Sequence, residues 1–270
     1  MTNTDSYMRK LVVTNPLGEP TYRLVIHTLR LPQGSRGLDA GCGIGYQALL
    51  LAEAVGPAGH VTGIDRSPEF LAKAREIAKK AGMAEQVFFQ EADVSNLPFE
   101  DNTFDWVWSA DCVGYAPGEP LPQIKELARV VKPGGSVIIL AWSSQQLLPG
   151  YPLLEARLNA TSSGIAPFVE GMRPELHFSR MPGWFRKAGL ERTSAQTFAG
   201  SVHAPLSDEI RNAMMALLEM RWVDVQAELS HKDWIQFQRL CLPDSPDFIL
   251  NNPDYYAFFT YSLFRGRVTR

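Results

Sequence analysis

The chain predicts an α/β fold: a mainly parallel sheet with helices on both faces. Three observations carry that prediction. Short apolar runs and amphipathic stretches alternate five times between residues 37 and 142, as βαβ units require. The first apolar run ends in a glycine-rich turn, Gly37-Leu-Asp-Ala-Gly-Cys-Gly-Ile-Gly45. The second ends in an acid, Asp65, roughly 20 residues beyond that turn, where nucleotide-binding folds place a carboxylate for ribose hydroxyls.

The elements follow in order. Residues 19–30 form a helix with Tyr22, Val25, Ile26 and Leu29 on one face. Residues 37–40 end the first strand, and Tyr46–Ala54 is its helix. Val61-Thr-Gly-Ile-Asp65 reads as a buried parallel strand, and a helix over 68–81 starts at Ser67-Pro68-Glu69. That start leaves helix N-capping as the alternative use of Asp65. Strand 86–90, a loop to about 103, strand 104–109, helix 121–131 and strand 136–142 complete the series, with Pro133-Gly134-Gly135 a sharp turn before the last. Residues 182–189 form another helix, ended by Gly189. Segments 190–203 and 255–268, rich in Thr, Phe, Tyr and Val, form a closing antiparallel pair. Asn252-Pro253-Asp254-Tyr255 is a turn ahead of the last strand.

The glycine loop has a chemistry of its own. Glycine removes Cβ, so backbone can take left-handed angles and lie close against a ligand. Asp39 brings negative charge to the loop mouth, which repels a pyrophosphate and attracts a cationic group. A dinucleotide loop wants G-x-G-x-x-G. Gly41 and Gly43 fit, but Tyr46 holds the third position and the third glycine, Gly45, comes one residue early.

The pattern Asp39-x-Gly41-x-Gly43-x-Gly45 resembles motif I of class I S-adenosylmethionine-dependent methyltransferases. Residues 96–107 (NLPFEDNTFDWV) and 127–135 (LARVVKPGG) resemble the ubiquinone/menaquinone-type branch of that family. The resemblance covers residues from about 35 to 142. It implies a Rossmann-like fold, a seven-stranded, mainly parallel sheet with an antiparallel last strand. It also implies S-adenosylmethionine as cofactor and S-adenosylhomocysteine as product. Carried over residue by residue, the backbones of Gly41 and Gly43 hold the methionine part, Gly45 completes the cofactor-binding loop, and Asp39 accepts from the loop or the ammonium group. Asp65, followed by Arg66, holds ribose, and Asp93 with the Val94 backbone holds adenine. Asp111, beyond the fourth strand, faces the methionine end as ammonium ligand or base.

Composition narrows the setting. The chain has 270 residues, 45% hydrophobic and 20% charged, with a net charge of −3, which gives no general attraction to nucleic acid or anionic membrane. No apolar run reaches the ~20 residues of a membrane span, and the N-terminus lacks signal-peptide character. Cys42, Cys112 and Cys241 are sparse and without C-x-x-C spacing. They argue against disulfides and zinc and fit a reducing, cytoplasmic setting.

We read residues 1–270 as one methyltransferase domain with a cofactor-binding core over 19–142. Residues 143–181 and 204–253 exceed the minimal fold and are expected to be helical substrate caps. The second carries a helical pattern at Ile210, Met214, Leu217, Leu218 and Trp222. It has eight acidic against four basic residues, unsuited to a phosphate backbone. The acceptor is accordingly expected to be a small apolar or aromatic metabolite, methylated on oxygen or carbon. A hydroxyl or weakly acidic carbon needs a general base, for which His177 and His203 are the candidates, with Tyr115 orienting the acceptor. Two readings stand beside this one: an NAD(P)-dependent oxidoreductase, and a non-catalytic binding protein that keeps the cofactor fold. Asp39 and the early Gly45 count against the first, and the intact acid-and-glycine set against the second.

Overall fold

The structure is a computed structural model and describes residues 3–115, 118–169 and 171–269. It divides into two compact units. One holds Tyr22–Trp142, Met172–Phe198 and the chain from Tyr261 onward; the other holds the chain up to Thr21, Ser143–Gly171 and Ala199–Thr260.

In the first unit the expected alternation is present: β1 (Arg36–Ala40), α2 (Tyr46–Val55), β2 (His60–Asp65), α3 (Pro68–Lys80), β3 (Val87–Glu91), β4 (Phe104–Ala110), α4 (Pro120–Val130) and β5 (Val131–Gln146). Helix α7 (Met181–Lys187) leads to β6 (Glu191–His203), and β7 (Tyr256–Arg267) closes the chain. The strands form one seven-stranded sheet in the order β3-β2-β1-β4-β5-β7-β6. Pairs β1–β2, β1–β4, β2–β3 and β4–β5 are parallel. Strand β7 is antiparallel to both neighbours. Against β5, Gly134 meets Val268, Ser136 meets Arg265 and Ser143 meets Thr260. Against β6, Thr197 meets Ser262 and Ala204 meets Tyr255. In each case one number rises as the other falls. The strand order turns back between β1 and β4, so the crevice outside their carboxyl ends is the natural ligand position of such a sheet.

Local sequence explains these elements. Ser67 caps α3 by accepting from the Phe70 N–H, Pro68 opens it, and Lys79 and Lys80 close it. Strand β4 carries two tryptophans into the core, Trp106 bonded to the Ser35 hydroxyl (2.9 Å) and Trp108 to the Gln47 amide (2.8 Å). Gly37 lies opposite Trp106, and a Cβ there would fall 2.0 Å from the indole ring. Gly37, which precedes the motif, is therefore a packing residue.

Two expectations need correction. The N-terminal helix α1 runs from Asn3 to Leu29, well ahead of residue 19, and contains Pro16 and Pro20. Two prolines and a polar stretch read as a break, yet residues on either side continue one helix; Leu17 is buried as Val25, Ile26 and Leu29 are. Strand β5 spans 131–146, longer than 136–142. The expected turn at Pro133-Gly134-Gly135 is an irregularity inside it: the register against β4 shifts between Phe104 and Trp106, and Gly134 donates to the Val268 carbonyl. Pairing with the last strand keeps the segment extended.

The second unit contains α5 (Pro152–Asn159), α6 (Ser162–Ile165), α8 (Asp208–Arg221) and α9 (His231–Cys241). Met214, Leu217, Leu218 and Trp222 are buried as their spacing predicts. The Glu155 carboxylate accepts the Leu147 and Leu148 N–H groups (2.6 and 3.0 Å), and Arg157 pairs with the buried Asp233 (2.5 Å).

Candidate cofactor site

The loop leaving β1 is built from backbone. Gly41, Gly43 and Gly45 all have positive φ (83°, 52° and 84°), the region where a side chain is strained. The Gly41 and Cys42 N–H groups both donate to the Ile64 carbonyl (2.9 and 2.8 Å), tying the loop to the end of β2. A Cβ on Gly41 would strike Cys112, and one on Gly45 would strike Ala74 and Phe89. Gly43 differs: a Cβ there meets nothing within 4 Å. Gly45 caps α2 without a side-chain acceptor, so first-turn N–H groups gain no side-chain bond from their cap.

Asp65 joins the loop from β2. One carboxylate oxygen accepts from the Gly43 N–H (2.9 Å) and the other from the Ser67 N–H (3.0 Å). The helix cap is Ser67, so the capping alternative for Asp65 does not hold; Asp65 braces the glycine loop.

Asp39 lies at the base of the site. It is 2% exposed, and its Oδ2 is buried without a hydrogen-bond partner. Burial, reinforced by the Asp65 charge, pushes its carboxyl up to about 8. The expected negative charge at the loop mouth is thus corrected: the strand carries Asp39 into the core, where the protonated form prevails at neutral pH. The neighbouring thiols are likewise held protonated by burial, Cys42 well above its ordinary value and Cys112 up to about 12.

The remaining acids stand at strand ends. Asp93 follows β3; it accepts from the Ser95 N–H (2.8 Å), and Arg66 approaches it at 3.6 Å. The Ser95 bond, aided by Arg66, lowers its carboxyl. Val94 is buried beside it. Asp111 directly follows β4 in a left-handed conformation (φ 47°), donating its N–H to the Leu140 carbonyl and accepting the Trp142 backbone N–H (2.6 Å). Non-glycine residues in that region concentrate at functional sites.

An aromatic group adjoins Asp111. The Tyr115 ring lies 6.3 Å from that of Phe178, which lies 4.4 Å from His177 and 6.5 Å from Phe264. Arg173 pairs with Glu119. The 172–181 part of the first insertion therefore packs on the segment that follows β4. Trp142 stands edge-on to Tyr261 at 5.3 Å, and the Tyr261 and Tyr22 hydroxyls are 2.8 Å apart. Sequence reading placed Tyr22 only on a helix face and did not single out Trp142 or Tyr261. The available signal was Trp142 at the end of the fifth strand.

The two histidines fall in different units. His177 accepts the Ser179 N–H on Nδ1 (3.2 Å), which places the neutral ring's proton on Nε2, and burial lowers its pKa. His203 is exposed, with Nδ1 2.8 Å from the Ala204 carbonyl, leaving the Nε2 lone pair available. Among the described residues no group of three or more His, Cys, Asp or Glu is placed to hold a metal, and no helix is long and apolar enough to cross a membrane. The glycine loop lines neither of two cavities. One, of about 370 Å³, lies beside Arg23, His27 and Glu53, and the other, of about 590 Å³, beside Trp222, Trp234 and Phe237.

A glycine loop at the sheet's turning point, with acids at three neighbouring strand ends, defines a nucleotide-cofactor α/β enzyme. Residues 38–135 match a family model described as a methyltransferase domain. The chain is 42% identical over 185 residues to a demethylmenaquinone methyltransferase of Bacillus cytotoxicus, covering 63% of this chain and 76% of that one. It is 39% identical over 132 residues to the protein of that name from Staphylococcus aureus, where it spans about half (53%) of the relative's length. A solved S-adenosylmethionine-dependent methyltransferase from Aquifex aeolicus superposes with a TM-score of 0.53 at 24% identity, over 72% of this chain and 91% of that one. The chain belongs to the class I S-adenosylmethionine-dependent methyltransferases, and its cofactor is S-adenosylmethionine. The oxidoreductase and non-catalytic readings find no support in these relatives.

The residues present fit that cofactor. Gly43 turns an open side outward, Asp39 carries an unsatisfied buried oxygen, and the Asp65 carboxylate is held in place by two backbone donors. Such a set suits a ligand combining ribose hydroxyls with cationic groups.

Proposed function

We propose that this enzyme methylates a carbon or oxygen of a small apolar or aromatic metabolite, with a hydroquinone-like acceptor the closest class. The observation that carries this reading is the aromatic group of Tyr115, Trp142, Phe178 and Tyr261 beside Asp111. It stands where the crevice of an open α/β sheet receives ligands. The names of the two sequence relatives point to the same acceptor class.

In this reading Gly41 and Gly43 hold the methionine part through their backbone, and Gly45 completes the cofactor-binding loop. Asp39 and Asp111 face its cationic groups, Asp65 and Arg66 hold ribose, and Asp93 with Val94 holds adenine. The sulfonium supplies a methyl group already activated for displacement, so the protein's work is positioning and exclusion of water. Tyr115 orients the acceptor. His177, neutral and with its proton on Nε2, suits hydrogen-bond donation, whereas the Nε2 of His203 suits proton acceptance. Residues 143–181 and 204–253 supply acceptor selectivity. The acidic balance of 204–253 favours such an acceptor over a nucleic acid, and the sparse cysteines suit work in the cytoplasm.

Calorimetric titration with S-adenosylmethionine and S-adenosylhomocysteine, with Asp65→Ala as control, tests the site. Micromolar-range binding that the variant loses is expected; absence of binding by folded wild-type protein refutes it. Transfer of labelled methyl to 1,4-naphthohydroquinone, and none to transfer RNA, is the expected acceptor result.

A further inference from the structure

The cavity of about 590 Å³ is lined wholly by residues of the second unit. It lies where helix α8 stops and α9 begins, and its volume is in the range of small-molecule sites. Three aromatic side chains line it: Trp222 directly after α8, and Trp234 and Phe237 on α9. The Trp234 and Phe237 rings lie nearly parallel, 5.4 Å apart at 19°. The Trp222 indole N–H is already bonded to the Asn159 amide oxygen (3.0 Å). What that ring offers the cavity is its π-system.

The charge of the lining has one sign. Asp224 lines the cavity and makes no hydrogen bond or ion pair among the described residues. Its backbone is left-handed (φ 54°, ψ 27°), a conformation that is uncommon for non-glycine residues and concentrates at functional sites. No Lys, Arg or His among the described residues lines the cavity. The nearby cations are engaged elsewhere: Arg221 donates to the Gly164 carbonyl (2.7 Å), and Arg157 pairs with Asp233 (2.5 Å). Trp222 is also the C-cap of α8, so the negative end of that helix adjoins the cavity. Aromatic rings, a carboxylate and a helix C-terminus each favour positive charge.

The geometry points to a binding site for an organic cation, an ammonium group carried on an apolar or aromatic body, held by Trp222, Trp234 and Phe237 with Asp224 as its counter-charge. The site shares no residue with the cofactor loop and does not rest on the acceptor reading above.

The test uses the S-adenosylhomocysteine-loaded protein, which keeps a cationic probe out of the place of the cofactor's own sulfonium. Phenyltrimethylammonium and its neutral isostere tert-butylbenzene are titrated into protein carrying isotope-labelled tryptophan. Both probes have the same shape and only one is charged. The indole N–H signals of the 6 tryptophans are followed by NMR, with those of Trp222 and Trp234 assigned by their loss in Trp222→Phe and Trp234→Phe. The ammonium probe is expected to shift the Trp222 and Trp234 signals and to bind about three- to thirtyfold tighter than the isostere, the range of a cation–π contact. Asp224→Asn keeps the size, tolerates the left-handed backbone and lowers that preference about two- to fivefold. Trp234→Leu removes most of the preference while the isostere still binds. S-adenosylhomocysteine affinity is unchanged in both variants. Equal affinity for the two probes overturns the proposal, as does an ammonium probe that leaves the Trp222 and Trp234 signals in place at millimolar concentration. A preference that survives intact in both Asp224→Asn and Trp234→Leu overturns it as well. Indole shifts that follow dilution rather than the probe assign the cavity to a second copy of the chain and overturn it too.

Discussion

Replacing Asp39 by asparagine separates the electrostatic role of this carboxyl from its shape. In the folded protein burial raises it from 3.8 to about 8, with the Asp65 charge as the second cause. The folded state therefore binds one more proton than the unfolded state throughout that window. Stability linked to the group is fully present below pH 3.8 and is lost as the pH rises through about 8. At about 1.4 kcal/mol per pH unit, the wild-type protein gives up on the order of 4 kcal/mol by pH 7 and between roughly 5 and 6 kcal/mol above pH 8. Asparagine keeps the size and the unsatisfied polar atom but does not titrate. Asp39→Asn is thus expected to stabilise the cofactor-free protein by an amount that grows across this window. Urea denaturation at pH 5, 6, 7 and 8, followed by fluorescence of the buried Trp106 and Trp108, measures it. Other titrating groups are common to both proteins and cancel in the difference. Asp65, Cys42 and Cys112 face the same spot, and the pH range stays below the titration of the thiols. A stability difference that does not change between pH 5 and 8 would refute the reasoning.

The same carboxyl should be felt in binding. Calorimetry of S-adenosylmethionine binding at pH 7 in buffers of different ionisation enthalpy is expected to show proton release in wild-type protein and none in Asp39→Asn. Gly43→Ala places a methyl on the open side of the loop at a positive φ, costing roughly 1–2 kcal/mol of stability but abolishing cofactor binding. Gly45→Ala also drives its methyl to within 2.8 Å of the Phe89 ring and should lower the melting temperature further; equal losses of stability in the two would contradict the cradle described here. Glu155→Ala leaves the Leu147 and Leu148 N–H groups without their acceptor. It should cost about 2–4 kcal/mol in thermal denaturation, whereas Glu155→Gln, which keeps one acceptor, should recover part of the loss.

Much of the molecule was legible because its signals are short-range. The Asp39–Gly45 loop, the Ser67-Pro68-Glu69 helix start and the helical spacing of Met214, Leu217 and Leu218 each lie within a few residues. All appear where the sequence puts them. The closing strands, read at 190–203 and 255–268, run over Glu191–His203 and Tyr256–Arg267. Helix α1 was under-read because Pro16 and Pro20 are local stop signals that the folded chain overrides. The β5 extension was missed because Pro133-Gly134-Gly135 looks like a turn until Val268 pairs with it.

The order of residues by itself determined the α/β alternation, the glycine loop and the acids at the strand ends, because spacing and backbone freedom are properties of neighbouring residues. Only the tertiary structure decided that Asp39 is protonated rather than charged, that Asp65 braces Gly43 instead of capping a helix, and that Tyr22 meets Tyr261. Burial, dielectric surroundings and contacts across 239 positions exist only once the sheet has brought distant segments together.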